Sequence, residues 1–386
     1  MRTRGYHGRT AIASAGATEY SQASDHSVLE LAVRACEDAL SQAGMSGTEI
    51  DGIVSYSLYS DSTPAAAVGA CLGATSLDYL LDANAGGQTP SLMVMHAAMA
   101  VHMGLARNVL VFRALKGRSG LRVGHFMPEG GSTDLRYVVG LTAYPQYAAM
   151  WLRRYMIETQ ATEEDVAAVP IVQRRYAALN PRALLRSPLT LDDYMKSKWV
   201  VEPLRRADCT IEVDGAAAVL VTSTERARDL KLPPAIIQGS AWAARDLDLD
   251  MGSTLRYRDY SRTIAYDIGR KLWQTAGLEP KDVDVAELYD CFSSLVLSNL
   301  EGYGFCEYGE AGSFIRSGAT WMDGRLPVNT SGGLLCEGYL HGMNTIAEGV
   351  WQIQGLCGER QIADAKVAMV CSGGRNAGSA LVLARG

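Results

Sequence analysis

The side chains of this sequence best able to do chemistry are its eight cysteines, six histidines and eighteen tyrosines. The cysteines (Cys36, Cys71, Cys209, Cys291, Cys306, Cys336, Cys357 and Cys371) include no C-x-x-C pair. They fit neither a zinc knuckle nor a secreted disulfide framework and read as reduced, mostly buried residues. The histidines are too dispersed to form a metal set. His96 and His102 fall on a helical stretch where ordinary packing accounts for them, whereas His125 falls in a Gly-rich irregular segment and is a candidate substrate contact. A phenol has an ordinary pKa of about 10, so a tyrosine is a ready proton donor at neutral pH and a base only where its neighbours lower that value.

The elements that must hold such groups alternate between strand and helix. Ser27 and Glu30 form a Ser-x-x-Glu capping box ahead of Val28, Ala32, Ala35, Cys36, Ala39 and Leu40 at helical spacing, which predicts an amphipathic helix ending near Gly44. Strand-like runs follow at Ile50 to Tyr59 and Leu77 to Leu81, so a largely parallel sheet is expected. The order then repeats. Ala43-Gly44 followed by Glu49-Ile50-Asp51 recurs as Ala276-Gly277 followed by Asp282-Val283-Asp284. Asn84-Ala85-Gly86-Gly87, which follows a strand-like run, has a counterpart in Asn329-Thr330-Ser331-Gly332-Gly333, a turn that Asn329 and Ser331 are expected to hold so that it shapes a pocket. Two related α/β halves are therefore expected, residues 1–230 and 231–386, with the seam in Thr222 to Pro234 and a lid-like insertion over about 115–146.

A chain of 386 residues with 48% hydrophobic content can fill a large core, and its net charge of −6 with no basic run argues against nucleic acid as a partner. No stretch reaches the roughly 20 apolar residues of a membrane span, and the N-terminus lacks the apolar run of a signal peptide, so a cytoplasmic location is expected.

The chain resembles the thiolase superfamily, in its sterol-carrier and lipid-transfer-protein-like branch, over essentially its whole length. Five ordered blocks carry the resemblance: Tyr155-Met156 through Asn180-Pro181, Ile211 to Val221, Glu287 to Phe292, Val328 to Gly342, and Cys371-Ser372-Gly373-Gly374. It implies a five-layered αβαβα thiolase fold and a dimer. The departures are chemical. The place of the family's cysteine nucleophile is Gly87, the histidine of its His-Asp-Cys-Phe block is Tyr289, and that of its Gly-His-Pro block is Tyr339. Glycine cannot form an acyl-enzyme, and both imidazoles have given way to the same residue, which keeps a proton-transfer group. That pattern is a converted site rather than a decayed one.

Retro-aldol cleavage of a β-hydroxyacyl-CoA needs no covalent intermediate, and two phenols with a cradle of backbone N–H groups can supply its acid, base and enolate-stabilising roles. The resemblance places the cradle at the N–H groups of Gly87 and Gly373 and aligns Cys371 with the family's acid-base cysteine; Asp290 is read as orienting the loop or the neighbouring phenol, or as a structural residue. Within the branch, the steroid side-chain-cleaving aldolase subunits are the nearest likeness. This implies a 17-hydroxy steroid with a three-carbon CoA-thioester side chain, cleaved to a 17-keto steroid and propionyl-CoA. It also implies an OB-fold, zinc-ribbon partner bound in a heterotetramer around the homodimer. No cofactor is expected in this chain, since CoA belongs to the substrate and zinc, where present, to the partner. Three rival readings are a non-catalytic acyl-CoA or sterol carrier, a thiolase or synthase using Cys336 or Cys371, and a scaffold that only brings a partner to substrate.

Overall fold

The computed structural model describes residues 5–120, 122, 138–245 and 260–386. Helix α1 (Val28–Ala43) starts and stops where its sequence signals stand. Ser27 Oγ accepts the Glu30 N–H at 3.1 Å, and Gly44, at φ +75°, returns its N–H to Leu40 and Ser41. The capping box is half made, because the Glu30 carboxylate turns to Arg34 and His26 instead.

Among the described residues nine strands form one mixed sheet in the order β3-β2-β4-β7-β1-β8-β11-β10-β9. Residues before the seam supply β1 (Thr10–Ala17), β2 (Gly52–Ser57), β3 (Tyr79–Asn84), β4 (Asn108–Lys116) and β7 (Asp214–Ser223). Residues after it supply β8 (Ala235–Ala244), β9 (Val285–Glu287), β10 (Val367–Gly373) and β11 (Ala377–Arg385). The short β5 (Trp199–Val201) and β6 (Leu204–Arg205) pair apart from the rest. The expectation of a largely parallel sheet is corrected. Helical crossovers make β2–β3, β2–β4 and β9–β10 parallel, but β7 and β11 return antiparallel to their neighbours.

The repeated tripeptides have a structural meaning. Asp51, just before β2, accepts the N–H groups of Arg107 and Asn108 at the start of β4; Asp284, just before β9, accepts those of Lys366 and Val367 at the start of β10. Each aspartate pins two parallel strands in register, and each preceding helix ends on a left-handed glycine, Gly44 or Gly277.

Side chains alternate across each strand, so the sheet has two apolar faces. Leu110, Phe112 and Leu220 pack outward against α1 and α2 (Ala65–Leu72), while Val109, Val111 and Val219 pack inward. Inward-facing Val370 and Leu381 of the second half meet the same core, which is filled by α3 (Pro90–His102) and, later in the chain, the helix Met343–Gln354. Val382 and Met369 face the helices Ala265–Ala276 and Ser293–Gly302 on the far side. With β1 and β8 joined only through Ala11–Ile236 and Ile12–Ala235, the sheet doubles over the two central helices and produces the five layers αβαβα. Both ends of the stretch 115–146 belong to regular elements. Leu115 and Lys116 still belong to β4, and α4 (Tyr144–Thr159) has begun by residue 144. Its centre, with His125, Phe126 and Tyr137, lies outside the described residues. Among the described residues no helix is long and apolar enough to cross a membrane.

A buried acid cluster under the second half makes one prediction. Thr330 Oγ1 lies 2.7 Å from Glu287 Oε1 and 2.8 Å from Glu348 Oε1, yet it has one hydrogen to give. Arg360 grips Glu348 through two bonds, at 2.9 and 2.8 Å, which keeps that carboxyl ionised. Burial and the Glu348 charge push Glu287 well up, so it is the protonated partner. A raised folded pKa means the stability tied to this group is complete below the unfolded value of about 4.3 and is lost as pH rises through the folded value. Glu287→Gln, neutral throughout, is expected to lose less stability between pH 5 and pH 8.5, by about 1.4 kcal/mol for each pH unit of that range that lies below the folded pKa of Glu287. Urea midpoints that fall in parallel for both proteins would refute this.

Candidate active site

Tyr289 lies two residues past the end of β9, and its backbone is held on both sides. The Leu288 N–H donates to Asn329 Oδ1 at 2.6 Å, the Tyr289 N–H to Cys371 Sγ at 3.3 Å, and Asn299 Nδ2 to the Tyr289 carbonyl at 3.0 Å. One residue on, the buried Asp290 carboxylate accepts the N–H groups of Leu334 and Leu335, at 3.0 and 3.1 Å, at the start of the short helix Gly333–Cys336. Asn329, Cys371 and Asp290 thus all act on the segment that carries Tyr289. Asn329 does so from a left-handed backbone, φ +53°, with no exposed surface. Burial pushes Asp290 up to about 7 against the pull of its two N–H donors.

The Tyr339 segment arrives from the other side, its N–H bonded to the Ile211 carbonyl at 3.0 Å. The two phenol oxygens meet at 2.9 Å. Tyr289 is buried and Tyr339 is partly open. Desolvation pushes both phenols well above their ordinary range, and for Tyr289 the neighbouring phenol adds to it. Both are therefore neutral, hydrogen-bearing groups at physiological pH.

Gly87 closes the site beneath them. A Cβ built on it would stand 1.7 Å from Tyr289 Oη and 2.4 Å from Cζ, so the phenol occupies the space a side chain at 87 would need. The Gly87 N–H finds no acceptor among the described residues, and it lies in the turn leading into α3, where the helix end favours negative charge. The first turn of α3 is capped from the opposite half: Ser372 Oγ accepts the Ser91 N–H and Ser379 Oγ the Leu92 N–H, both at 3.2 Å, while Ser379 donates to the Gln88 carbonyl. Gly373 sits at φ +120°, a conformation open to glycine, and a Cβ there would lie 2.5 Å from Gly378 Cα and 3.3 Å from Gln88 Cα. The loops of Gly87 and Gly373 are thus in contact beside the paired phenols.

A family model described as thiolase C-terminal domain-like matches residues 250–384. The 17-hydroxy-3-oxo-4-pregnene-20-carboxyl-CoA lyase of Mycobacterium tuberculosis is 41% identical over 90% of this chain and 92% of its own length. The chain belongs to the family of steroid side-chain-cleaving aldolases. A steroid side-chain-cleaving aldolase of Thermomonospora curvata is 42% identical, over 90% of this chain and 91% of its own length. The solved Ltp2-ChsH2(DUF35) aldolase superposes with a TM-score of 0.92 at 39% identity, covering 99% of both chains. The fold of this aldolase-family chain is the thiolase fold.

In this family member the cysteines near the site are poor nucleophiles, since the thiolate is the reactive form. Burial pushes Cys371 up to about 12 and Cys336 up to about 11. Among the described residues no group of three or more His, Cys, Asp or Glu side chains is placed to hold a metal ion. One residue of the site escaped the sequence reading. His341 is 1% exposed, packs edge-to-face with Tyr339 at 4.7 Å between ring centroids, and takes a hydrogen bond from Arg113. Its signal was a lone histidine between Leu340 and Gly342 inside the block that carries Tyr339.

Proposed function

We propose that this chain cleaves the side chain of a 17-hydroxy steroid carrying a CoA thioester, of the kind named for its Mycobacterium tuberculosis relative, by a retro-aldol reaction. The observation that carries the reading is the 2.9 Å contact between the Tyr289 and Tyr339 phenols above the emptied position 87. The bond between the hydroxyl-bearing carbon and the α-carbon of the thioester breaks. Its electron pair becomes the thioester enolate, the hydroxyl oxygen becomes a ketone, and the hydroxyl proton has to end on the α-carbon. Because both phenols are held neutral, a phenolate base is not at hand. The pair works instead as a relay: one phenol takes the hydroxyl proton as it passes its own to the second, which protonates the enolate carbon. Each tyrosine ends as it began, and the products are a 17-keto steroid and propionyl-CoA. The N–H groups of Gly87 and Gly373 stabilise the enolate oxygen. No cofactor enters this scheme, CoA being part of the substrate.

The reading includes a homodimer and an OB-fold, zinc-ribbon partner of the DUF35 kind seen with the solved aldolase. Among the described residues strand β3 ends the sheet with no strand on its outer edge, and its Leu80 is exposed, which suits a second copy of this chain. Eight free thiols, with Cys71 exposed, suit the reducing cytoplasm.

The test is the purified complex of this chain with its partner, given 17-hydroxy-3-oxo-4-pregnene-20-carboxyl-CoA, with mass detection of ketone and propionyl-CoA. Turnover that survives iodoacetamide is the expected result. Binding without cleavage would make the chain a carrier, and inactivation prevented by acyl-CoA would make a cysteine the nucleophile.

A further inference from the structure

His341 is the most constrained residue around the tyrosine pair. It adopts φ +52°, a left-handed backbone that non-glycine residues occupy at a cost, and it does so with almost no exposed surface. Two contacts hold it there. Its carbonyl accepts from the Tyr56 phenol at 3.4 Å, and its Nδ1 lies 2.9 Å from Arg113 Nη2 and 3.3 Å from Nε. A guanidinium has donors only, so Nδ1 accepts and the ring proton sits on Nε2.

Arg113 is itself fixed. It is fully buried on β4, its Nη2 pairs with Asp61 at 2.5 Å, and its Nη1 donates to the carbonyls of Tyr56 and Ala114. The chain Asp61–Arg113–His341 is thus a rigid brace running from the first half to the ring that stands edge-to-face with Tyr339. The groups facing His341 are Arg113 and Tyr56 from the first half and Tyr339 from its own segment, with Asp61 behind Arg113. Burial and the guanidinium hold the imidazole far below its ordinary pKa, so the brace stays neutral at its tip. The next residue, Gly342, brings its backbone close to Tyr289: a Cβ there would lie 3.1 Å from Cδ2 of that ring. One short segment therefore touches both phenol-bearing rings.

We propose that His341, braced by Arg113 and Asp61, is the positioning residue that aims the Tyr339 phenol at Tyr289. The inference rests on the retro-aldol reading, in which the relay works only at hydrogen-bond distance. A brace of this kind acts on kcat rather than on KM, because displacing a phenol by about 1 Å costs on the order of a hundredfold in rate while substrate contacts elsewhere remain. His341→Asn keeps an acceptor for Arg113 and tolerates the left-handed backbone. His341→Leu keeps bulk but strands the guanidinium donors and resists that backbone.

The experiment measures kcat, KM and melting temperature for the wild-type complex and both variants with the CoA-thioester substrate. The expected result is a kcat for His341→Leu lower by about a hundredfold at a KM within a few-fold, with His341→Asn restored to within about tenfold of wild type. Equal kcat in all three overturns the proposal. An equal loss in both variants also overturns it, since the ring's bulk rather than the brace would then be at work. Should His341→Leu not fold, Arg113→Lys, which keeps the charge beside Asp61 but loses the fork onto Nδ1, takes its place with the same readings. Absence of cleavage by the wild-type complex would defeat the retro-aldol reading instead, so the two failures are distinct.

Discussion

Replacing either phenol by phenylalanine is expected to lower kcat by about 10²–10⁴-fold with little change in KM, because the lost group serves proton transfer rather than binding. Tyr289→Phe and Tyr339→Phe each remove one oxygen from a pair 2.9 Å apart. A relay is a unit, so the double variant should be no slower than the slower single one. The rate should also show no step belonging to either phenol from about pH 6 to 9, the unperturbed pKa of a phenol being about 10 and both of these pushed higher by burial, so that a step near pH 7 belongs to Asp290. Steady-state kinetics on the partner complex decide the matter. Near-normal turnover in either single variant, or strictly multiplicative losses in the double one, would remove the relay.

Restoring a side chain at position 87 should be as damaging as removing a phenol. Gly87→Ala places a methyl group where Tyr289 Oη already lies, at 1.7 Å, and Gly87→Cys adds a sulfur to the same collision. The ring must leave. Overpacking of this kind costs about 1–3 kcal/mol of stability, and a displaced phenol costs on the order of a hundredfold in rate. Removing the hydroxyl alone does not relieve it, since Cζ and Cε2 would still stand 2.4 and 2.9 Å from the new Cβ. Gly87→Ala with Tyr289→Phe should therefore recover neither melting temperature nor activity. An active, fully stable Gly87→Ala would show that the site does not need the phenol where it stands. A nucleophilic cysteine and this tyrosine exclude one another in space.

Much of this was readable in the sequence, and the limits have physical causes. Helix α1 was legible because its start and stop signals are local: Ser27 and Gly44 act within one turn of their own positions. The internal repeat was legible as Asp51 and Asp284, though the register those carboxylates enforce on β4 and β10 was not. Tyr289, Tyr339 and Gly87 were found as departures from a resemblance, but a collision between residues 87 and 289 has no sequence signal. Arg113 and His341 are separated by 228 positions, and Asp61 and Arg113 by 52. Periodicity sees neighbours on one element, so a brace spanning both halves escapes it. The sheet direction was misjudged for a similar reason: β4 and β7 are joined through the long excursion of residues 117–213, which a count of alternating elements treats as one crossover.

Ser372 and Ser379 grip the mouth of α3 from strands belonging to the other half of the polypeptide. The turn at Gly87, which has no side chain of its own, is consequently shaped by distant hydroxyls. Such a scaffold can be emptied of one reagent and refitted with another without losing its form, which makes the reactive group here an exchangeable part in a fixed socket.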